Sequence, residues 1–177
     1  MRIVVSGTHA SGKSTLISDF HAAHPEYTVL GDPFDDVESG APTGAASFVA
    51  QLRVTVSRLR ESARESSVIS ERGPVDFLAY LTALEMLGRG DGALLSRAQE
   101  LVETSMAHID LIAVVPLDLR HPIDIPDDED PALREAMESA LMDALDDLER
   151  AGGAPPIVTL TGNPQERLAQ LERAAGL

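Results

Sequence analysis

Cysteine is absent from this chain, which excludes disulfides and thiolate metal sites. No apolar run approaches the roughly 20 residues needed to span a bilayer. Positive charge is scarce: 14 Lys and Arg stand against 29 Asp and Glu, a formal net charge of −15. That balance argues against a nucleic-acid partner, whose binding rests on neutralising phosphates, and against docking on anionic lipid. Any anionic small molecule must find a local concentration of donors within an acidic surface. Met1 to Val5 leads straight into the first motif, so no signal peptide is expected and cytoplasm is the expected location.

Lysine is nearly missing as well. Thirteen arginines accompany a single lysine, Lys13, and Asn163 is the only asparagine. The guanine-reading Asn-Lys-x-Asp pattern of GTPases therefore cannot be built. The remaining histidines, His21, His24, His108 and His121, show no metal-ligand spacing.

What is present suits one α/β domain over residues 1–177. Hydrophobic residues make up 44% and charged residues 24%, an ordinary globular composition. Strand and helix signals alternate. Ile3–Val5, Tyr27–Leu30, Ser67–Ser70, Asp110–Val115 and Ile157–Leu160 read as strands. Helical patterns cover about Lys13–His24, Ala45–Glu65, Pro74–Leu87, Ala93–Ala107, Pro131–Arg150 and a short stretch from Pro164. The alternation predicts a three-layer α/β fold with a five-stranded parallel sheet. Ligands on such sheets bind beyond the carboxyl ends of the strands.

One segment is specific. Gly7-Thr8-His9-Ala10-Ser11-Gly12-Lys13-Ser14 matches GxxxxGK[ST], between a predicted strand and a predicted helix, the context this phosphate-binding loop requires. Its backbone N–H groups and the helix start make a nest for α- and β-phosphates. Lys13 is expected to reach the β- and γ-phosphates, and the Ser14 hydroxyl to ligate Mg²⁺. Thr15 follows within reach of the α-phosphate. His9 and Ser11 read as loop fillers. Lys13, at a helix start, is expected to be partly exposed. The strand 110–115 ends at Pro116 without an acid, whereas Glu71-Arg72 follows the third strand.

The start Gly-Thr-His-Ala-Ser-Gly-Lys-Ser-Thr-Leu, the Gly31-Asp32-Pro33 after the second strand and the Ser70-Glu71-Arg72-Gly73-Pro74 after the third together resemble P-loop small-molecule kinases. The nearest resemblance is to the nicotinamide-riboside-kinase-like AAA-type ATPase family, with deoxynucleoside kinases more distant. This implies a nucleoside/nucleotide-kinase-like P-loop NTPase fold with ATP and Mg²⁺ as cofactors. It implies that Asp32 accepts the acceptor hydroxyl's proton, that Glu71 holds Mg²⁺ or its water, and that Arg72 contacts phosphate or substrate. The alternatives are a turn role beside proline for Asp32 and a surface ion pair for Glu71-Arg72.

The resemblance also implies a lid at 116–131, with Arg120 and Arg134 as phosphate contacts, although acids dominate that segment. It places Gly162 and Asn163 where adenine meets backbone groups. Asp76 and Tyr80 either line an acceptor pocket or serve as first-turn acid and core. Phe34, Asp35 and Asp36, and more weakly Gln51 and Arg53, are further pocket candidates. Two functions remain open. One is an ATP-dependent phosphotransferase acting on a hydroxyl of a small, nucleoside-like molecule, as a monomer or homodimer. The other is a nucleotide-binding regulatory ATPase or switch without kinase activity.

Overall fold

The β-branched run near the start becomes β1 (Arg2–Ser6), the middle strand of the sheet. The computed structural model describes residues 1–36, 44–62, 67–117 and 130–177. Among them α1 (Lys13–Ala23), β2 (Thr28–Leu30), α2 (Ala45–Glu61), β3 (Val68–Glu71), α3 (Pro74–Met86), α4 (Gly92–Ser105), β4 (Leu111–Val114), α5 (Pro131–Ala151), β5 (Ile157–Thr159) and α6 (Pro164–Ala175) follow in order. The five strands are parallel in the order β2-β3-β1-β4-β5. The sheet and the helix alternation match the sequence expectation.

Side-chain alternation divides the core in two. Ile3, Val5, Leu111, Ala113 and Val115 face α1 and α6 and pack with Leu16, Phe20 and Leu171. Val4, Ile112 and Val114 face the other way, into the cluster of α2, α3, α4 and α5. Helix α3 lies at the middle of that second layer. Its residues Val75, Phe77, Ala79, Leu81, Ala83 and Leu84 are all buried, so it reads as apolar nearly all round.

Register brings the functional ends together. Glu71 pairs with Val5 across β3 and β1, and Val114 pairs with Ser6 across β4 and β1. The strand ends of β1, β3 and β4 therefore open on one edge, and α3 begins there at Pro74. Gly73 is required at this corner because a Cβ would lie 2.4 Å from Val4 Cγ1.

Asp76 ties the corner together. It is fully buried, and its carboxylate accepts from Ser6 Oγ at 2.8 Å, from Gly7 N at 2.9 Å and from Gly73 N at 2.8 Å. The end of β1, the start of the phosphate loop and the cap of α3 thus share one side chain. Of the two roles open from sequence, the described structure gives Asp76 that of first-turn acid. Burial pushes its carboxyl above the usual range, while Arg72, the two amides and Ser6 pull the other way. We predict that Asp76→Asn, which turns an amide N–H toward one of these donors, destabilises the protein by about 1–3 kcal/mol. An unchanged urea midpoint would contradict the role.

Candidate functional site

The loop between β1 and α1 curls as an anion nest must. Gly7, Ala10 and Gly12 have φ of 154°, 54° and 97°, an alternation that turns successive amides inward. A Cβ on Gly7 would stand 2.5 Å from the Val115 carbonyl oxygen, so the loop can pass over β4 only as glycine.

Lys13 is buried, only 3% exposed, against the expectation of partial exposure. The loop folds over it, and its Nζ donates to the Thr8 carbonyl at 2.8 Å. Burial and the nearby Arg72 lower its pKa to about 7, against the pull of Asp76, Glu71 and Asp32. The exposed Ser14 donates its hydroxyl to Glu71 Oε1 at 2.7 Å. A hydroxyl and a carboxylate meeting beside a phosphate nest suit Mg²⁺, which takes hard oxygen ligands from one or two protein groups and completes its shell with phosphate and water. Thr15 is exposed beside Ser14.

Arg72 and Asp32 also converge. Arg72 stands at φ 65° although it is not glycine, a conformation costing about 1–3 kcal/mol that persists only where its surroundings enforce it. Its N–H is fixed on the Val5 carbonyl at 3.0 Å and its own carbonyl receives Ser70 Oγ at 3.0 Å. The guanidinium, buried with its residue at 2% exposure, donates from Nε to Asp32 Oδ2 at 2.8 Å and from one terminal nitrogen to the Gly7 carbonyl at 3.3 Å. Burial by itself disfavours the charge, and Tyr80, Asp32 and Asp76 outweigh it, so the pKa rises above the ordinary value. The pair is therefore largely buried, with Arg72 inside and Asp32 at its edge, not the surface ion pair that the sequence left open for Arg72. Asp32 fills the turn role as well, because its Oδ1 accepts from Phe34 N at 3.0 Å.

Aromatics are few in this chain, 3%, yet four of them gather here. The Arg72 guanidinium lies 5.0 Å from the Phe34 ring and 5.6 Å from the Tyr80 ring, and Phe48 stacks on Tyr80 at 4.6 Å. Phe77 backs Phe34 at 5.8 Å. On α2, one turn beyond Phe48, Gln51 is buried and its carbonyl oxygen has no partner among the described residues, as is true of the Thr55 hydroxyl. Arg53, on the same helix, is exposed.

The loop is braced from outside. On α5, Arg134 Nε donates to the His9 carbonyl at 3.1 Å, and Glu138 accepts from the Thr8 hydroxyl and from Leu117 N. On α6, Arg167 donates to the Ser11 carbonyl at 2.8 Å. Sequence reading named Arg134 but missed Glu138, four residues on along the same helix, and Arg167. The i, i+4 spacing of Arg134 and Glu138 was the available signal. Arg120 and most of the expected lid lie outside the described residues. Around Gly162 and Asn163 several polar groups are already engaged. Asn163 and Glu166 cap α6 reciprocally, and Gln170 holds both the N–H and the carbonyl of Thr161. A separate cavity of about 540 Å³ between α3, α4 and α5, lined by Leu78, Met86, Val102, Met106 and Leu148, contains none of these site residues.

The fold and the loop define a P-loop α/β protein built like the nucleoside and nucleotide kinases. Its structure matches deoxyadenosine kinase from M. mycoides with bound products dCMP and dCDP (TM-score 0.78, 10% identity, 99% of each chain). It also matches NadR in complex with NR (0.71, 14%, 99% of this chain and 52% of that one) and thymidylate kinase from Candida albicans (0.61, 15%, 99% and 90%). The family model described as AAA domain matches residues 2–167, and the chain belongs to that family. No curated protein matches it by sequence.

The buried lysine would make binding of a triphosphate at this loop pH-dependent. Its pKa of about 7 lies well below the ordinary lysine value, so between the two the unfolded chain holds the proton and the empty fold gains stability as pH rises. A triphosphate requires the charged form, so above pH 7 binding must return the proton. We predict uptake approaching one proton per MgATP bound near pH 8.5 and affinity that declines from pH 7 to 9. Calorimetry in buffers of different ionisation enthalpy measures this; binding heats independent of buffer would contradict it.

Proposed function

We propose that this protein is an ATP-dependent phosphotransferase that moves the γ-phosphate onto a hydroxyl of a small, nucleoside-like molecule. The observation that carries the reading is the convergence on one sheet edge of the phosphate loop, the Ser14–Glu71 pair and the buried Arg72–Asp32 pair. The first seats the triphosphate, with Lys13 at the β- and γ-phosphates. The second offers oxygens to Mg²⁺, which supplies charge neutralisation on the phosphates when bound. Arg72 offsets charge that develops in transfer, and Asp32, oriented by Arg72, accepts the acceptor's proton. Phosphoryl transfer needs little more than such positioning and electrostatics.

The ligands of the structural neighbours, dCMP, dCDP and NR, support a nucleoside-like acceptor. So do Phe34, Phe48 and Tyr80 beside Arg72, since planar rings pack well on aromatic faces, and the Gln51 carbonyl oxygen, without a partner among the described residues, suits a ligand N–H. ATP and Mg²⁺ are the proposed cofactors. In the Thr161 to Asn163 turn, Gln170 holds the backbone groups of Thr161 and Glu166 the N–H of Asn163, which leaves the Gly162 backbone as the part of that turn proposed to meet adenine.

A panel of nucleosides and other small alcohols should contain a compound that accelerates ATP loss well above the rate with water. A nucleotide-state switch would show no such compound. With the acceptor in hand, Asp32→Asn should lower phosphotransfer by about 10²-fold or more, the usual scale of general-base catalysis, with ATP affinity nearly constant. Asn keeps the bond to Phe34 N, so near-normal transfer would leave Asp32 only its turn role. A parallel loss of ATP affinity would place the damage in the Arg72 contact with the loop.

A further inference from the structure

Thr8 is the node of the phosphate loop. Its carbonyl seats the Lys13 ammonium at 2.8 Å, and its side chain, 0% exposed, donates its hydroxyl to Glu138. The second carboxylate oxygen of Glu138 accepts from Leu117 N at 3.0 Å, just beyond the end of β4. Helix α5 is fixed beneath this contact, since its neighbours Met137, Ala140 and Leu141 are buried in the core. One turn earlier, Arg134 holds the next loop carbonyl, that of His9. Two successive loop residues are thus gripped by two successive turns of one anchored helix.

A carboxylate beside an anion nest works against the anion by simple Coulomb repulsion. The place it occupies is explained by what it holds. Hydrogen bonds to a charged acceptor are stronger than neutral ones, and this acceptor serves the loop hydroxyl and the β4 exit together. We propose that Glu138 is a positioning residue of the phosphate site: it fixes Thr8, and through the Thr8 carbonyl it sets where Lys13 meets the triphosphate. Its role is geometric and not electrostatic. Glutamine can reproduce it, accepting from Leu117 N with Oε1 and donating to the Thr8 hydroxyl with Nε2, while removing the charge.

The role rests on the loop binding a nucleotide, and the test separates the two. Calorimetry measures Kd for MgATP in the full chain and in Glu138→Gln, Glu138→Leu, Thr8→Val, Thr8→Ser and the Thr8→Val/Glu138→Leu double variant, each with its thermal midpoint. Glu138→Gln and Thr8→Ser should bind within about twofold of the unaltered chain or tighter. Glu138→Leu and Thr8→Val should each weaken binding about tenfold, and the double variant no more than either single one, because the two act as a unit. A merely structural role would lower the thermal midpoint without that coupling in affinity. Multiplying effects in the double variant, or unchanged affinity in Glu138→Leu, would overturn the proposal. Should Glu138→Leu fail to fold, equal affinities for Thr8→Val and Thr8→Ser would overturn it just as well. Failure of the unaltered chain to bind MgATP would remove the function reading, and this role with it.

Discussion

A single buried carboxylate, Asp76, fixes the geometry on which the site depends. It accepts from Ser6, Gly7 and Gly73 at 2.8–2.9 Å, so the strand end, the loop start and the helix cap cannot move independently. A buried carboxylate is costly unless its oxygens are satisfied, and here three donors and the nearby Arg72 satisfy it. The packing of α3 against α2, α4 and α5 then carries that corner into the larger core.

Around this corner the few positive groups of an acidic chain are spent deliberately. Lys13 and Arg72 are both buried, each close enough to influence the other, and Lys13 gives way by losing affinity for its proton. Arg72 keeps its charge because Tyr80, Asp32 and Asp76 together outweigh its burial, Asp32 by a direct bond. The result is a strained, left-handed arginine held between a carboxylate, a loop carbonyl and two aromatic faces. Strain stored at such a position is common where a residue must present its charge in one orientation.

The sheet, the helix order and the phosphate loop were legible in the sequence because each has a local signal: β-branched runs, apolar periodicity, and Gly7, Gly12 and Lys13 at fixed spacing. The Asp32–Arg72 contact was half legible. Each residue stood out after its strand, but forty residues separate them and only the sheet order brings them together. The burial of Lys13 was misjudged, because a helix start reads as exposed until the loop is seen folded over it. Glu138 was hidden for a similar reason. It sits on an acidic helix where only its i, i+4 spacing from Arg134 marks it, and its partners Thr8 and Leu117 are distant in the chain. At the start of α6, Asn163 also serves a local role, as the N-cap paired with Glu166.

The central claim is that this loop binds a Mg²⁺-triphosphate through Lys13. It is tested most directly by the affinity of Lys13→Ala for MgATP, measured beside the unfolding midpoint. Removing a buried, poorly solvated ammonium leaves the core clusters untouched, so the fold should persist. The affinity should fall at least tenfold, about 1.4 kcal/mol of lost binding. Unchanged MgATP affinity in a folded Lys13→Ala protein would contradict the account.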